Sequence, residues 1–76
     1  MDQTKVSEAY LLGIKEGRDN LRWLKSQGEE VDYDRMIELL ENIKAVLRMG
    51  FPDEMADFLR GERDFWKNQI KKASHS

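Results

Sequence analysis

Apolar residues recur at helical spacing in three stretches of this chain, and in the first some of them fall on the wrong side. Tyr10, Ile14, Leu21 and Leu24 share one stripe, with Gly13 and Gly17 lying along it. At roughly 100° per residue, Trp23 and Leu12 point almost opposite that stripe. A helix of a globular protein normally turns its tryptophan towards the core. A tryptophan on the back therefore predicts a second surface that something else covers.

The first pattern predicts a helix over about 4–27, with Asp2, Thr4 or Ser7 as candidate N-caps and Gly28 free to take the left-handed conformation that ends it. The second predicts a helix over about 32–49. Asp32 can cap it, Val31 can staple onto Met36, and Gly50 ends it. Its apolar residues Tyr33, Met36, Ile37, Leu39, Leu40, Ile43, Val46 and Leu47 cover roughly half the circumference, which suits a central helix with neighbours on both sides. The third predicts a helix over about 52–72. Pro52 stands at the first helical position, Asp53 and Glu54 complement the positive end of the dipole, and Lys71 and Lys72 complement the negative end. Its apolar arc holds Met55, Phe58, Leu59, Phe65, Trp66 and Ile70, and the tail 73–76 is expected to fray. No β alternation, internal repeat or linker interrupts this. The expected fold is all-α, a compact three-helix bundle in a single domain.

Two glycines in a helix interior each cost around 1 kcal/mol against alanine, so Gly13 and Gly17 call for compensation by close approach of another helix. That helix could be the second or third of the same chain. It could instead belong to a second copy, with Tyr10, Gly13 and Gly17 as a self-association seam, or the glycines could mark a kink. Short helical chains without staples often gain stability by association, and a homodimer is expected.

Trp23 and Leu12 lie eleven residues apart on one face, roughly 16 Å along the axis. Large apolar anchors of this kind are enriched at binding hot spots. The expected partner-binding set is Leu12 and Trp23 flanked by Arg18 and Arg22, with Trp66 and Arg63 as second choice. Cover for Trp23 from the third helix or the second turn, or plain exposure, are the competing readings.

Charge modifies this picture only in part. The 76 residues carry a formal charge of −2 with 37% charged side chains, which is dense but balanced and unlike the basic excess of a general nucleic-acid binder. Glu29, Glu30, Asp32, Asp34, Glu38 and Glu41 form an acidic stretch relieved only by Arg35. Lys15, Arg18, Arg22 and Lys25 form a basic row on the first helix, and Arg60, Arg63, Lys67 and Lys71 form another on the third. Nearby Glu16, Asp19, Asp57 and Asp64 offer partners at three- and four-residue spacing. The rows read as solvated faces, as contacts for an acidic protein, or as the basis of the alternative function, a nucleic-acid-associated regulator. Glu62 and Gln69 interrupt the apolar arc of the third helix, and a buried Glu62 calls for an arginine, a lysine, a Tyr or Trp donor, or a subunit boundary.

Candidate chemistry is otherwise thin. The single histidine, His75, stands at the chain end and there is no cysteine, so neither histidine catalysis nor a metal site is expected. Asp32-x-Asp34 starts like a calcium loop but lacks the spaced ligands and glycine that should follow. No phosphate-binding glycine loop occurs. Helix-turn-helix recognition fails because the second helix is acidic at its start and apolar over half its surface. No catalytic residue, cofactor or enzyme activity is expected. MDQTKVSEAY lacks the basic-then-apolar order of a signal peptide and no apolar run is long enough for a membrane span, so a cytoplasmic protein is expected.

The segments Glu8-Ala-Tyr-Leu-Leu-Gly-Ile-Lys-Glu-Gly-Arg-Asp19 and Phe58-Leu-Arg-Gly-Glu-Arg-Asp-Phe-Trp-Lys-Asn-Gln69 resemble the small helical accessory proteins of temperate phages and prophages. The resemblance covers the first third and last quarter of the chain and defines no functional residue. It implies a protein made in the bacterial cytoplasm that binds a host or phage protein, as inhibitors of defence systems, polymerases and regulators do. Together these readings point to a non-enzymatic interaction module that occupies a surface of another protein.

Overall fold

The computed structural model describes residues 7–74 and contains three helices, α1 (Glu8–Ser26), α2 (Tyr33–Leu47) and α3 (Asp53–Ser74). Of the three candidate caps for α1, Asp2 and Thr4 lie outside the described residues. Ser7 performs the role: its extended backbone precedes the helix, and its Oγ accepts from the Tyr10 N–H at 3.1 Å. At the other end Gly28 adopts a φ of 76°. The Glu29 N–H donates to the Leu24 carbonyl and the Gly28 N–H to that of Lys25. This is the paired Schellman closure that a left-handed residue permits.

Asp32 caps α2 as its sequence predicts, accepting from the Arg35 N–H at 2.9 Å. Gly50, at φ 79°, reverses the chain after that helix. Pro52 stands one position earlier than predicted. Its carbonyl accepts from the Ala56 N–H at 2.8 Å, which makes Pro52 the residue before the first helical turn. Ala73 and Ser74, expected to fray, continue α3, and the Ser74 hydroxyl donates to the Lys71 carbonyl. His75 and Ser76 lie outside the described residues.

The helices are joined by short turns, and α1 and α3 run in the same direction. Contacts between them rise together along both: Ser7 meets Asp57, Tyr10 meets Asp64, and Gly17 faces Phe65. α2 is the return leg.

The central helix is α3, not α2. α3 packs against both other helices, whose backbones stay apart from each other. Trp66, Phe65 and Leu40 form the buried centre, with Ile14, Leu21, Val31, Met36, Leu39, Ile43 and Ile70 packed against it. The Phe65 and Trp66 rings meet edge to face at 5.0 Å. The broad apolar arc of α2 is therefore covered on one side only, and Tyr33 stays exposed. Hydropathy misleads here because two of the buried residues of α3 are Ala56 and Gly61. They carry little apolar weight, yet both are buried, and Gly61 lets the backbone of α1 come close.

That packing explains the glycines of α1. A methyl group at Gly13 would overlap the Phe58 carbonyl of α3, and one at Gly61 would overlap the Tyr10 carbonyl of α1. A methyl at Gly17 would come within 2.7 Å of the Phe65 ring. Each helix thus presents glycine to the other's backbone. The expected self-association seam of Tyr10, Gly13 and Gly17 is occupied by α3 of the same chain, and the close approach needs no second copy.

Candidate functional site: the cleft between α1 and α2

Because α1 and α2 diverge over α3, a cleft of about 310 Å³ opens between them. Asn20, Trp23 and Leu24 form the α1 wall; Arg35, Leu39, Asn42 and Ile43 form the α2 wall; Glu62 and Trp66 form the floor. Its walls are largely apolar, with a few convergent polar groups, the usual constitution of a ligand or anchor site.

The two tryptophans occupy opposite situations in this cleft. Trp66, at 2% exposure, is the most deeply buried large side chain described, because α1 and α2 both lean on it. Its expected role as a second partner-binding anchor is therefore corrected: Trp66 is core, and its neighbour Arg63 is tied to Asp64 at 3.0 Å. Trp23, at 60% exposure, remains uncovered on the rim. Neither α3 nor the second turn folds over it.

Glu62 departs from expectation in a different way. The structural partner it calls for is missing: among the described residues its carboxylate makes no hydrogen bond and no ion pair. Burial pushes its pKa up, and the negative charge of Glu16 pushes the same way. Across the floor, Arg35 is the cation of the cleft. Its Nη1 meets Glu38 at 2.9 Å and its Nη2 lies 3.6 Å from Glu29, while its Nε is buried without an acceptor. The Glu38 hydrogen bond holds the guanidinium protonation above its ordinary range, against the opposing effect of burial.

The remaining candidates of α1 divide between two flanks. Leu12, 56% exposed, continues the face that carries Trp23 and joins Leu11, Glu8 and Lys15 around a separate shallow depression. Arg18 does not stand beside Trp23. It lines the opposite groove, between α1 and α3, with Tyr10, Asp64, Asn68 and Lys72. Arg22 is exposed, and neither arginine has an ion pair within the described residues. Trp23 and Arg18 thus serve different surfaces.

The α1–α3 groove, of about 290 Å³, holds a latch between the two helices. The Tyr10 hydroxyl donates to Asp64, and Arg63 Nε donates to the other oxygen of that carboxylate. Burial would raise the Asp64 pKa, but these two hydrogen bonds together with the charges of Arg63 and Lys67 outweigh it and the net effect is downward. The same hydrogen bond to Asp64, then burial, raises the Tyr10 phenol. At the helix entrance the Ser7 hydroxyl donates to Asp57 at 2.9 Å while accepting from the Tyr10 N–H. Asp57 is lowered by that bond and by the one from Arg60.

The basic rows are partly neutralised within their own helices. Lys15 pairs with Asp19 at 2.8 Å, Arg60 with Asp57 at 2.7 Å, and Arg63 with Asp64. No cluster of His, Cys, Asp and Glu among the described residues is placed to hold a metal ion, and no helix among them is long and apolar enough to cross a membrane.

Fold and cleft define a class: a small all-α chain of three helices, in which α1 and α2 both pack on α3 and stand open to each other. Comparison with protein-family models, with curated proteins and with solved structures finds no match for this chain. Sequence reasoning singled out Trp23 and Glu62 without joining them, and it missed Asn20, Arg35, Leu39 and Asn42 as members of one site. The signal available was limited. Asn20 and Trp23 share a flank of α1 at three-residue spacing, but nothing local announces that α2 stands off far enough to leave them open.

Proposed function

We propose that this protein is a non-enzymatic interaction module that acts by occupying a surface of another protein, in the manner of a phage-type inhibitor or modulator. The exposure of Trp23 carries this reading. A large indole stands 60% exposed on the rim of a largely apolar cleft. Burying it on a partner returns about 25 cal/mol for each Å² of apolar surface removed from water. Leu12 extends the same face of α1, and the exposed Leu11 lies next to it.

The alternative of a nucleic-acid-associated regulator has less support, because Lys15, Arg60 and Arg63 are each held by a carboxylate of their own helix. The bacterial cytoplasm as the site of action rests on the resemblance to temperate-phage accessory proteins.

The test is affinity capture from bacterial lysate with wild type and Trp23→Ala side by side. A partner retained by wild type and lost by the folded variant supports the reading. A folded Trp23→Ala protein that keeps every partner removes Trp23 as the anchor.

A further inference from the structure

Resting on that reading, we infer that the α1–α2 cleft is a receptor for a single arginine side chain presented by a helix of the partner protein, with the guanidinium held between the Trp23 indole and the Glu62 carboxylate.

Three features of the cleft select this occupant. The first is the unanswered carboxylate. Glu62 sits on the floor beneath apolar walls with no donor, and Glu16 adds a second negative charge close enough to disfavour its ionisation. An apolar occupant would desolvate Glu62 further, which is costly for an unpaired charge. A neutral donor would satisfy its oxygens but leave the repulsion from Glu16. A cation answers both.

The second is the balance of charge around the opening. Arg35, the cation lining the cleft, has Nη1 and Nη2 engaged by Glu38 and Glu29, and its Nε, which has no acceptor, is shut off from the opening by burial. Glu62 on the floor, with Glu16 acting on it, adds negative charge that no cation among the described ion pairs answers. An acidic occupant is thereby repelled and a basic one is drawn in.

The third is shape. Leu24, Leu39 and Ile43 offer apolar wall for an alkyl stem, and long cationic side chains bury their stems while the head finds polar contacts. The rim indole of Trp23 offers a flat face on which a planar guanidinium stacks, and tryptophan is the strongest of the aromatic partners for a cation. Asn20 and Asn42, both exposed on opposite walls, can hydrogen-bond the polar flank of the incoming helix. A side chain delivered from a helix also matches the open side of the cleft, where α1 and α2 diverge.

The probe is a soluble alanine-rich helical peptide carrying leucines and one central arginine. Two twins differ only in that residue, one with citrulline, the neutral isostere, and one with lysine. Binding is read by titration calorimetry and by the Trp23 and Trp66 indole N–H signals in NMR. The arginine peptide should bind at least tenfold more tightly than the citrulline peptide, with lysine between them, and should shift the Trp23 signal. In Glu62→Gln, checked for folding by circular dichroism, the preference for arginine over citrulline should fall to about twofold or threefold, the remainder coming from the Trp23 face. Equal affinities in wild type, or a preference undiminished in Glu62→Gln, overturns the arginine assignment while leaving the interaction-module reading intact. Absence of arginine-peptide binding at millimolar concentration overturns it as well. A wild-type dimer in light scattering that Glu62→Gln or Trp23→Ala dissociates overturns the choice of a foreign partner and makes a second copy the occupant.

Discussion

Gly61 in the middle of α3 lies directly against the Tyr10 carbonyl of α1, and a methyl group there would overlap that oxygen. Gly13 makes the reciprocal approach to the Phe58 carbonyl. Each helix supplies the gap that the other's backbone fills. Relief of this kind outweighs the helix-propensity cost of around 1 kcal/mol per glycine.

Replacing glycine by alanine within an exposed helix normally stabilises it. Gly61→Ala and Gly13→Ala should do the reverse and lose about 1–3 kcal/mol, because the obstructing atoms are backbone and cannot swing aside. Gly17→Ala meets a side chain, the Phe65 ring, and should lose less. Urea denaturation followed by circular dichroism ranks the three. An unchanged midpoint for Gly61→Ala would contradict the close seam.

The tryptophans should separate cleanly. Trp66→Ala removes the centre of the core and should cost about 3–5 kcal/mol, enough to unfold a domain of this size. Trp23→Ala should change stability by no more than about 0.5 kcal/mol, as expected of a surface position. Iodide should quench Trp23 fluorescence and spare Trp66, which single-tryptophan variants with phenylalanine at the other site would show.

The latch between Tyr10 and Asp64 should register in both partners. Tyr10→Phe should cost about 1 kcal/mol, and a double-mutant cycle with Asp64→Asn should show coupling between them. The phenol, held above its ordinary range by Asp64, should ionise later than a free tyrosine in an ultraviolet titration. This bond therefore contributes fully between the ordinary carboxylate and tyrosine ranges and is lost as pH rises through the folded tyrosine value.

Glu62 should act against the fold at neutral pH. The folded state holds its proton more tightly than the unfolded chain, so ionisation subtracts stability as pH rises from the ordinary glutamate range through the folded value. Asp57 and Asp64 are lowered. Their contribution is present above the ordinary carboxylate range and disappears as pH falls through their folded values. Glu62→Gln should accordingly raise the urea midpoint at pH 7, by a small amount because solvent screens the half-exposed carboxylate. That advantage should shrink as pH falls through the range where Glu62 takes up its proton. A constant advantage at every pH would mean that the charge is not the cause.

The chain's local chemistry determined its three helices. Ser7, Asp32 and the glycines at 28 and 50 act on backbone groups within a few residues of themselves, so their meaning is readable in one dimension. The helical period likewise marked Trp23 as lying off the main apolar stripe of α1. The tertiary structure decided which helix stands at the centre, since Ala56 and Gly61 make α3 packable by being small, which a hydropathy pattern does not record. It also decided that the glycine seam joins α1 to α3, and that Arg18 faces a different groove from Trp23. The cleft itself is a gap between elements far apart in sequence, created because α1 and α2 both pack on α3 and not on each other. A distance between two helices is a property of their shared packing, and no residue pattern within either one encodes it.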